Sequence, residues 1–324
     1  MEFDIQYLLM LQDLRNATGG IFDEFFNALS KFAVDILPFL PFVIFWGVDK
    51  KWGYYFLTTH WVGELINGVI KLTVCAYRPW IRSDLIEPAG DSKTAATGYS
   101  FPSGHTRTAT TIYGSIFVWQ KDKRRWLAVL CIVLIALTGF SRNFLGVHTP
   151  QDVIVAILES VIILFAVSFI SKKVSGNDKT LDILTLIGVI VVIVSLIYIQ
   201  VKPYPMDYDE AGKLLVNPSK MMNDCFKACG SFLGLLIGSF VDRHYMHFEI
   251  PEGAKNLPIL VTVGVAITFS WKEYFGPATF GAVFGGHWGN FIVRLIMLLF
   301  AMIVWPIVIT KSCKAEKYNR HTLK

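Results

Sequence analysis

Charge is what this chain has least of. Only 17% of its 324 residues are Asp, Glu, Lys or Arg, against 53% hydrophobic. That balance excludes a soluble domain, which carries roughly a quarter charged residues. Cysteine is scarce as well: the five present show no metal-ligand or disulfide spacing. Cys225 and Cys229 share a helix face inside an apolar run, where buried thiols are expected rather than a metal pair. The N-terminus lacks the basic start and apolar core of a cleavable leader, carrying Asp4, Asp13, Arg15, Asp23 and Glu24 instead, so no leader is expected. The net charge of +5 forms no nucleic-acid patch, because the basic residues fall in short loops, and no nucleic-acid partner is expected. Residues 202–220 hold Asp207, Asp209 and Glu210 but not the pattern of a calcium loop, and read as a solvated acidic loop.

Long apolar runs are plentiful. They predict an all-α, polytopic membrane bundle of about nine transmembrane helices, near 32–48, 54–77, 103–119, 126–140, 151–170, 181–201, 221–241, 257–271 and 291–310. The organisation expected is an amphipathic surface segment over 1–31, a six-helix core over 32–201, a loop with three further helices over 202–310, and a basic cytoplasmic tail over 311–324. Pro38 and Pro41 kink the first span. In the second, His60, Glu64, Asn67 and Lys71 form a polar stripe, read as helix-to-helix glue more than as support for Lys71. Gly230, Gly234 and Gly238 repeat at a spacing echoed by Gly281, Gly285 and Gly289; packing within the chain is expected, with a homodimer face as the alternative. His287 reads as a capping or interfacial residue. With nine spans, the basic clusters at Lys50-Lys51, 121–125, Lys172-Lys173, Arg243 and 311–324 all fall on one side, the cytoplasmic one.

The polar residues that remain gather at span ends. Lys71 is followed by six residues and then Arg78-Pro79; next comes Pro102-Ser103-Gly104-His105; last come Ser141-Arg142, five residues, His148, three residues and Asp152. Lys71 and Arg78, seven apart, would share a helix face. Pro102 suits a first helical turn, leaving the N–H groups of Ser103, Gly104 and His105 as an anion cradle. Thr149-Pro150 reads as another helix start, from which Asp152 can reach back to His148 and fix its tautomer. Two histidines permit a division of labour in which one attacks and the other protonates a leaving oxygen.

These blocks resemble the signature of the type 2 phosphatidic acid phosphatase superfamily, which also holds glucose-6-phosphatase and the vanadium haloperoxidases. Every signature position matches, spacings included, over roughly 54–170. The resemblance implies a membrane phosphatase, and the orientation set by the basic clusters puts its site at the extracytoplasmic face of the plasma membrane or endoplasmic reticulum. It implies His148 as the nucleophile forming a phosphohistidine, Asp152 as its orienter and His105 as the leaving-group acid. Lys71, Arg78, Ser103, Gly104 and Arg142 would bind phosphate, with no metal and no cofactor. The nine-span layout, and the stretch Asp13-Leu14-Arg15-Asn16, lean toward glucose-6-phosphatase. Trp80, read as marking the water–lipid boundary, leans toward a phosphorylated lipid held beside membrane lipids. A lipid phosphate or pyrophosphate is the expected substrate, and a soluble sugar phosphate the alternative. A non-catalytic transporter or scaffold of this fold would be expected to lose a catalytic histidine or phosphate-binding arginine, and this chain keeps them all. Haloperoxidase chemistry on bound vanadate is set behind phosphatase chemistry, because the enzymes of that kind are soluble.

Overall fold

The computed structural model describes residues 2–96, 98–174 and 176–322. It is 78% helical, and no strand occurs among the described residues, where one isolated bridge joins Tyr208 to Leu214. The chain opens with α1 (Phe3–Ala17) and α2 (Asp23–Asp35), whose first turn holds Asp23 and Glu24 at the positive helix pole. Pro38 and Pro41 do break the first span: a short 3-10 turn over Leu37–Phe39 separates α2 from α3 (Leu40–Gly47). Then follow α4 (Lys50–Val74), α5 (Pro79–Arg82), α6 (Ser92–Ala95), α7 (Gly104–Gln120), α8 (Arg125–Phe144), α9 (Pro150–Val174) and α10 (Asp178–Val201). The remainder is α11 (Pro218–Val241), α12 (Leu257–Ser270), α13 (Ala282–Phe284), α14 (Gly286–Leu299) and α15 (Trp305–Thr322). The expected basic tail thus continues as helix through Thr322, while residues 323–324 and the side chains from 316 on lie outside what is described.

Among the described residues, six helical stretches are long and apolar enough to cross a membrane: Asp23–Gly47, Arg125–Phe144, Pro150–Val174, Asp178–Val201, Pro218–Met246 and Gly286–Ala315. They make the chain an integral membrane protein, and they correct the expected count of nine. Three of the expected spans form helices that are too polar or too short to count among the six. α4 is long enough but carries the polar stripe, α7 has 17 residues, and α12 has 14. The first span also begins earlier than its apolar run, at Asp23.

Two compact units emerge. One combines Met1–Pro38, Val62–Ala166 and Ile199–Met222. Its centre is α7, whose residues from Thr106 to Ser115 are all buried. A Cβ on Gly114 would lie 2.4 Å from Leu164 of α9, and one on Gly139 of α8 would lie 2.7 Å from Val153 of α9 and 3.6 Å from Thr106 of α7. A Cβ on Gly63 of α4 would meet Thr111 and Arg107 of α7 at 3.0 and 3.2 Å and Ile163 of α9 at 3.8 Å. These registers make α7 and α9 parallel, with α4 and α8 antiparallel to both. The C-terminal ends of α4 and α8 therefore meet the N-terminal ends of α7 and α9.

The other unit combines Phe39–Trp61, Val167–Tyr198 and Asn223–Lys324. Here the expected small-residue packing is present within the chain. Cβ atoms on Gly230, Gly234 and Gly238 would lie 2.2–2.6 Å from Phe291, Leu298 and Met302. Gly289 similarly closes on the Gly281 backbone. His287 bonds Asn223 at 2.7 Å and stacks on Phe226. Cys225 and Cys229 are fully buried. Asp242 is buried too, and takes bonds from Tyr54 Oη at 2.7 Å and Phe248 N at 2.8 Å beside Lys50 Nζ at 2.7 Å.

Candidate active site

The signature residues converge inside the first unit, where the four helix ends meet. α9 begins with a reciprocal cap: Thr149 N donates to Asp152 Oδ2 at 2.8 Å, and Asp152 N donates to Thr149 Oγ1 at 3.4 Å. The same Asp152 oxygen lies 3.1 Å from His148 Nδ1 and accepts a short bond from Ser100 Oγ. A carboxylate only accepts, so the His148 proton sits on Nδ1 and Nε2 presents a lone pair. That lone pair faces Arg78 Nη1 at 2.8 Å. Arg78 is further held by Gly98 O at 3.1 Å and Val147 O at 2.8 Å, and its guanidinium lies 5.8 Å from the Trp80 ring centre.

Burial pushes His148 well below the usual histidine value, and the charges of Arg78, Arg142 and Lys71 add to the effect. Burial likewise lowers Arg78 to about 10, against the pull of Asp152. His105, the second residue of α7, feels the charges of Arg142, His148, Arg78 and Lys71 together, which places it in the same cluster. Arg142, near the end of α8, gives Nη1 to Ser30 Oγ of α2 in a short bond, while its buried Nε makes no hydrogen bond. The turn from α8 to His148 is closed by Val147 N and His148 N donating to Arg142 O at 3.2 and 3.3 Å.

Several details depart from the sequence reading. Lys71 and Arg78 do not share a helix face, because α4 ends at Val74 and Cys75 turns into a left-handed conformation (φ 55°). Arg78 is extended, at the start of α5. Lys71 Nζ donates to the carbonyls of Tyr99, Ser100 and Pro102 at 3.3, 3.1 and 2.7 Å, so it shapes the segment entering α7. Pro102 precedes α7 instead of forming its first turn, following a cis bond to Phe101. Ser103 is the N-cap: its Oγ accepts from Thr106 N at 3.4 Å and Thr106 Oγ1 at 2.9 Å, and its own N–H is taken by Asp152 O at 3.0 Å. Of the three N–H groups expected to form a cradle, those of Gly104 and His105 remain at the first two helical positions. Trp80, half-buried, packs on two small cores under the 80–101 loop, around Leu145 and Leu8. In the polar stripe, Asn67 bonds Glu159 of α9 at 2.6 Å.

Four residues of this region escaped sequence reading. Ser100 and Ser30 carry no spacing that singles them out. Glu159 had a signal: a carboxylate two turns beyond Asp152 on the buried face of an apolar helix. So did Arg107, a cation one turn past Gly104 in a run that is otherwise uncharged. Among the described residues, no group of three or more His, Cys, Asp or Glu side chains is placed to hold a metal ion.

The described residues thus form an all-helical bundle that sets an aspartate-bound histidine among buried arginines. Residues 52–175 match the PAP2 superfamily. The chain is similar to an undecaprenyl-diphosphatase of Sulfolobus acidocaldarius, at 26% identity over 36% of this chain and 54% of that protein. It is similar to phosphatidylglycerophosphatase B of Escherichia coli, at 30% identity over 25% of this chain and 32% of that protein. It is also similar to mouse sphingosine-1-phosphate phosphatase 2, at 22% identity over 73% of this chain and 64% of that protein. The match thus spans about half of the archaeal relative and a third of the Escherichia coli one. No solved structure matches the chain significantly.

Proposed function

We propose that the chain is a membrane lipid phosphatase, hydrolysing a lipid phosphomonoester or pyrophosphate at the extracytoplasmic or lumenal face without a metal. The observation that carries this reading is His148, with Nδ1 held by Asp152 and Nε2 aimed at the Arg78 guanidinium. In the reaction, the substrate phosphoryl group takes the place of Arg78 Nη1 in front of Nε2. Nε2 attacks phosphorus, the P–O bond to the leaving group breaks, and His105 gives that oxygen its proton. Water then attacks the phosphohistidine, losing a proton to His105 and releasing phosphate. Arg78, Arg142 and the Gly104 and His105 amides hold the equatorial oxygens, and the unpaired Arg142 Nε is one such donor. Lys71 adds charge from one layer behind, and Ser103 acts through its cap.

A lipid substrate is favoured by the relatives' names, which speak of prenyl, glycerolipid and sphingoid phosphates. The sugar-phosphate alternative leans on a nine-span layout, of which six stretches among the described residues are long and apolar enough to cross. The test is phosphate release by the purified protein in detergent. Its panel is phosphatidate, phosphatidylglycerophosphate, undecaprenyl pyrophosphate, sphingosine phosphate and glucose 6-phosphate. A lipid is expected to lead glucose 6-phosphate by about a hundredfold in kcat/KM, or about 2.7 kcal/mol of transition-state binding. Activity should survive chelator and yield to vanadate, and a labelled phosphoenzyme should be trapped in the parent but not in His148→Ala. Equal turnover of glucose 6-phosphate overturns the lipid assignment; a strict magnesium requirement overturns the mechanism.

A further inference from the structure

Beneath the anion site lies a second buried polar group that the proposed reaction does not use. Asn67 of α4, Glu159 of α9 and Arg107 of α7 are each less than a tenth exposed. Asn67 Nδ2 donates to Glu159 Oε1 at 2.6 Å. That bond turns the amide oxygen the other way, to the start of α7, where a Cβ on Gly104 would lie 3.9 Å from Asn67 Oδ1. Glu159 Oε2 makes no hydrogen bond, and the charges of Glu64 and Glu159 both act on Arg107. Arg107 lies one helical turn after Gly104, and its carbonyl accepts from Ser160 Oγ of α9 at 3.5 Å. α9 therefore bonds the second turn of α7 through Ser160, while the Asn67 amide of α4, held by Glu159, packs against its first turn.

Such contacts are costly in an apolar bundle, where a buried polar group without a purpose is selected against by its desolvation. Apolar packing alone holds helices together but tolerates small rotations; a hydrogen bond of fixed direction does not. Rotating the first turn of α7 swings His105, whose ring must meet the leaving oxygen within hydrogen-bond reach. We propose that Asn67 and Glu159 are positioning residues for His105: the Glu159 carboxyl orients the Asn67 amide, and the amide fixes the rotation of the first turn of α7. The inference rests on His105 being the leaving-group acid, as proposed above.

The test separates positioning from mere stabilisation through the leaving group. A p-nitrophenyl phosphomonoester departs without a proton, whereas a lipid alkyl phosphate needs one. Asn67→Ala and Glu159→Ala should each lower kcat for the lipid phosphate by about a hundredfold, and for the aryl ester by less than about threefold, with KM little changed. Glu159→Gln keeps an acceptor for the Asn67 amide and should restore the parent response. Asn67→Asp has the parent shape but turns an oxygen on Glu159, and should be as selective as the truncation; it decides the matter if the alanine variants do not fold. Equal slowing of both esters, or the same kinetics for Glu159→Gln and Glu159→Ala, overturns the inference. His105→Ala is the control. A steep response there beside a flat one for Asn67→Asp sinks the positioning idea alone, while a flat response for His105→Ala sinks the acid assignment with it.

Discussion

Arg142 and Lys71 are both cations of the signature, and the structure gives them different work. Arg142 keeps Nε without a partner in the buried cluster and presses electrostatically on His148. In the proposed reaction the neutral His148 ring is the attacking form, and burial with three nearby cations holds its pKa below the ordinary histidine value. The acid limb of kcat/KM is therefore expected below the free-histidine range. Removing a cation makes protonation of the ring easier, so Arg142→Gln should move that limb to higher pH. Ionisation of the substrate is common to both proteins, so the difference between their profiles belongs to the enzyme; an unmoved limb would contradict the coupling. Lys71 is different, for the three hydrogens of its ammonium have three carbonyls at hydrogen-bonding distance. Such a cage suits a tetrahedral ammonium and not a planar guanidinium. Lys71→Ala should therefore regain phosphate release on addition of methylammonium or ethylammonium and gain little from guanidinium. Equal rescue by both cations, or by neither, would show that the cage is not what Lys71 provides.

Among the helices, legibility followed burial. The ends of α9 were readable because Pro150 and the Thr149–Asp152 cap are local signals, and the proline break after α2 likewise. The count of spans was not, because α7 is surrounded by protein and need not be apolar: Thr106, Thr108, Thr110, Thr111 and Ser115 are all buried in it. α4 hides its character in the same way, spending its polar stripe on neighbours such as Glu159. Spacing suggested that Lys71 and Arg78 were related, yet it was a chain reversal at Cys75, not a helix face, that related them. Contacts such as Arg142 to Ser30, 112 residues apart, have no trace in local pattern. α7 is about 26 Å long at 1.5 Å per residue, close to the thickness of a hydrocarbon core. Cysteines placed singly at Thr94 and Asp122, both exposed, lie before and after it. In a cysteine-free background, Thr94→Cys should react with an impermeant thiol reagent from outside and Asp122→Cys only after permeabilisation. Labelling of both from one side would mean that α7 does not cross; the reverse pattern would put the site in the cytoplasm.

At the scale of the whole chain, the family segment ends at residue 175, but the unit that holds the site does not. Residues 199–222 return to it: Tyr77 Oη donates to Asp207, Lys202 Nζ lies 3.5 Å from Cys75 Sγ, and Met221 covers Gly98. Gly98 has φ 75°, and a Cβ there would meet the Met221 sulfur at 1.6 Å, so this loop closes only over a glycine. Its carbonyl is the one that holds Arg78 Nε. Asp207, Asp209 and Glu210 are exposed, as expected of a solvated loop, and it is Met221 of α11 that covers the turn whose carbonyl holds the arginine. This makes the chain divisible but not modular. Gly176 is exposed, with nothing within 4 Å of a side chain placed there, so a break at that point disturbs no packing. Residues 1–176 carry every signature residue, yet expressed alone they should release no phosphate. Supplied in the same membrane with residues 177–324, they should recover it, as a split protein whose second half brings the missing piece of the first half's wall.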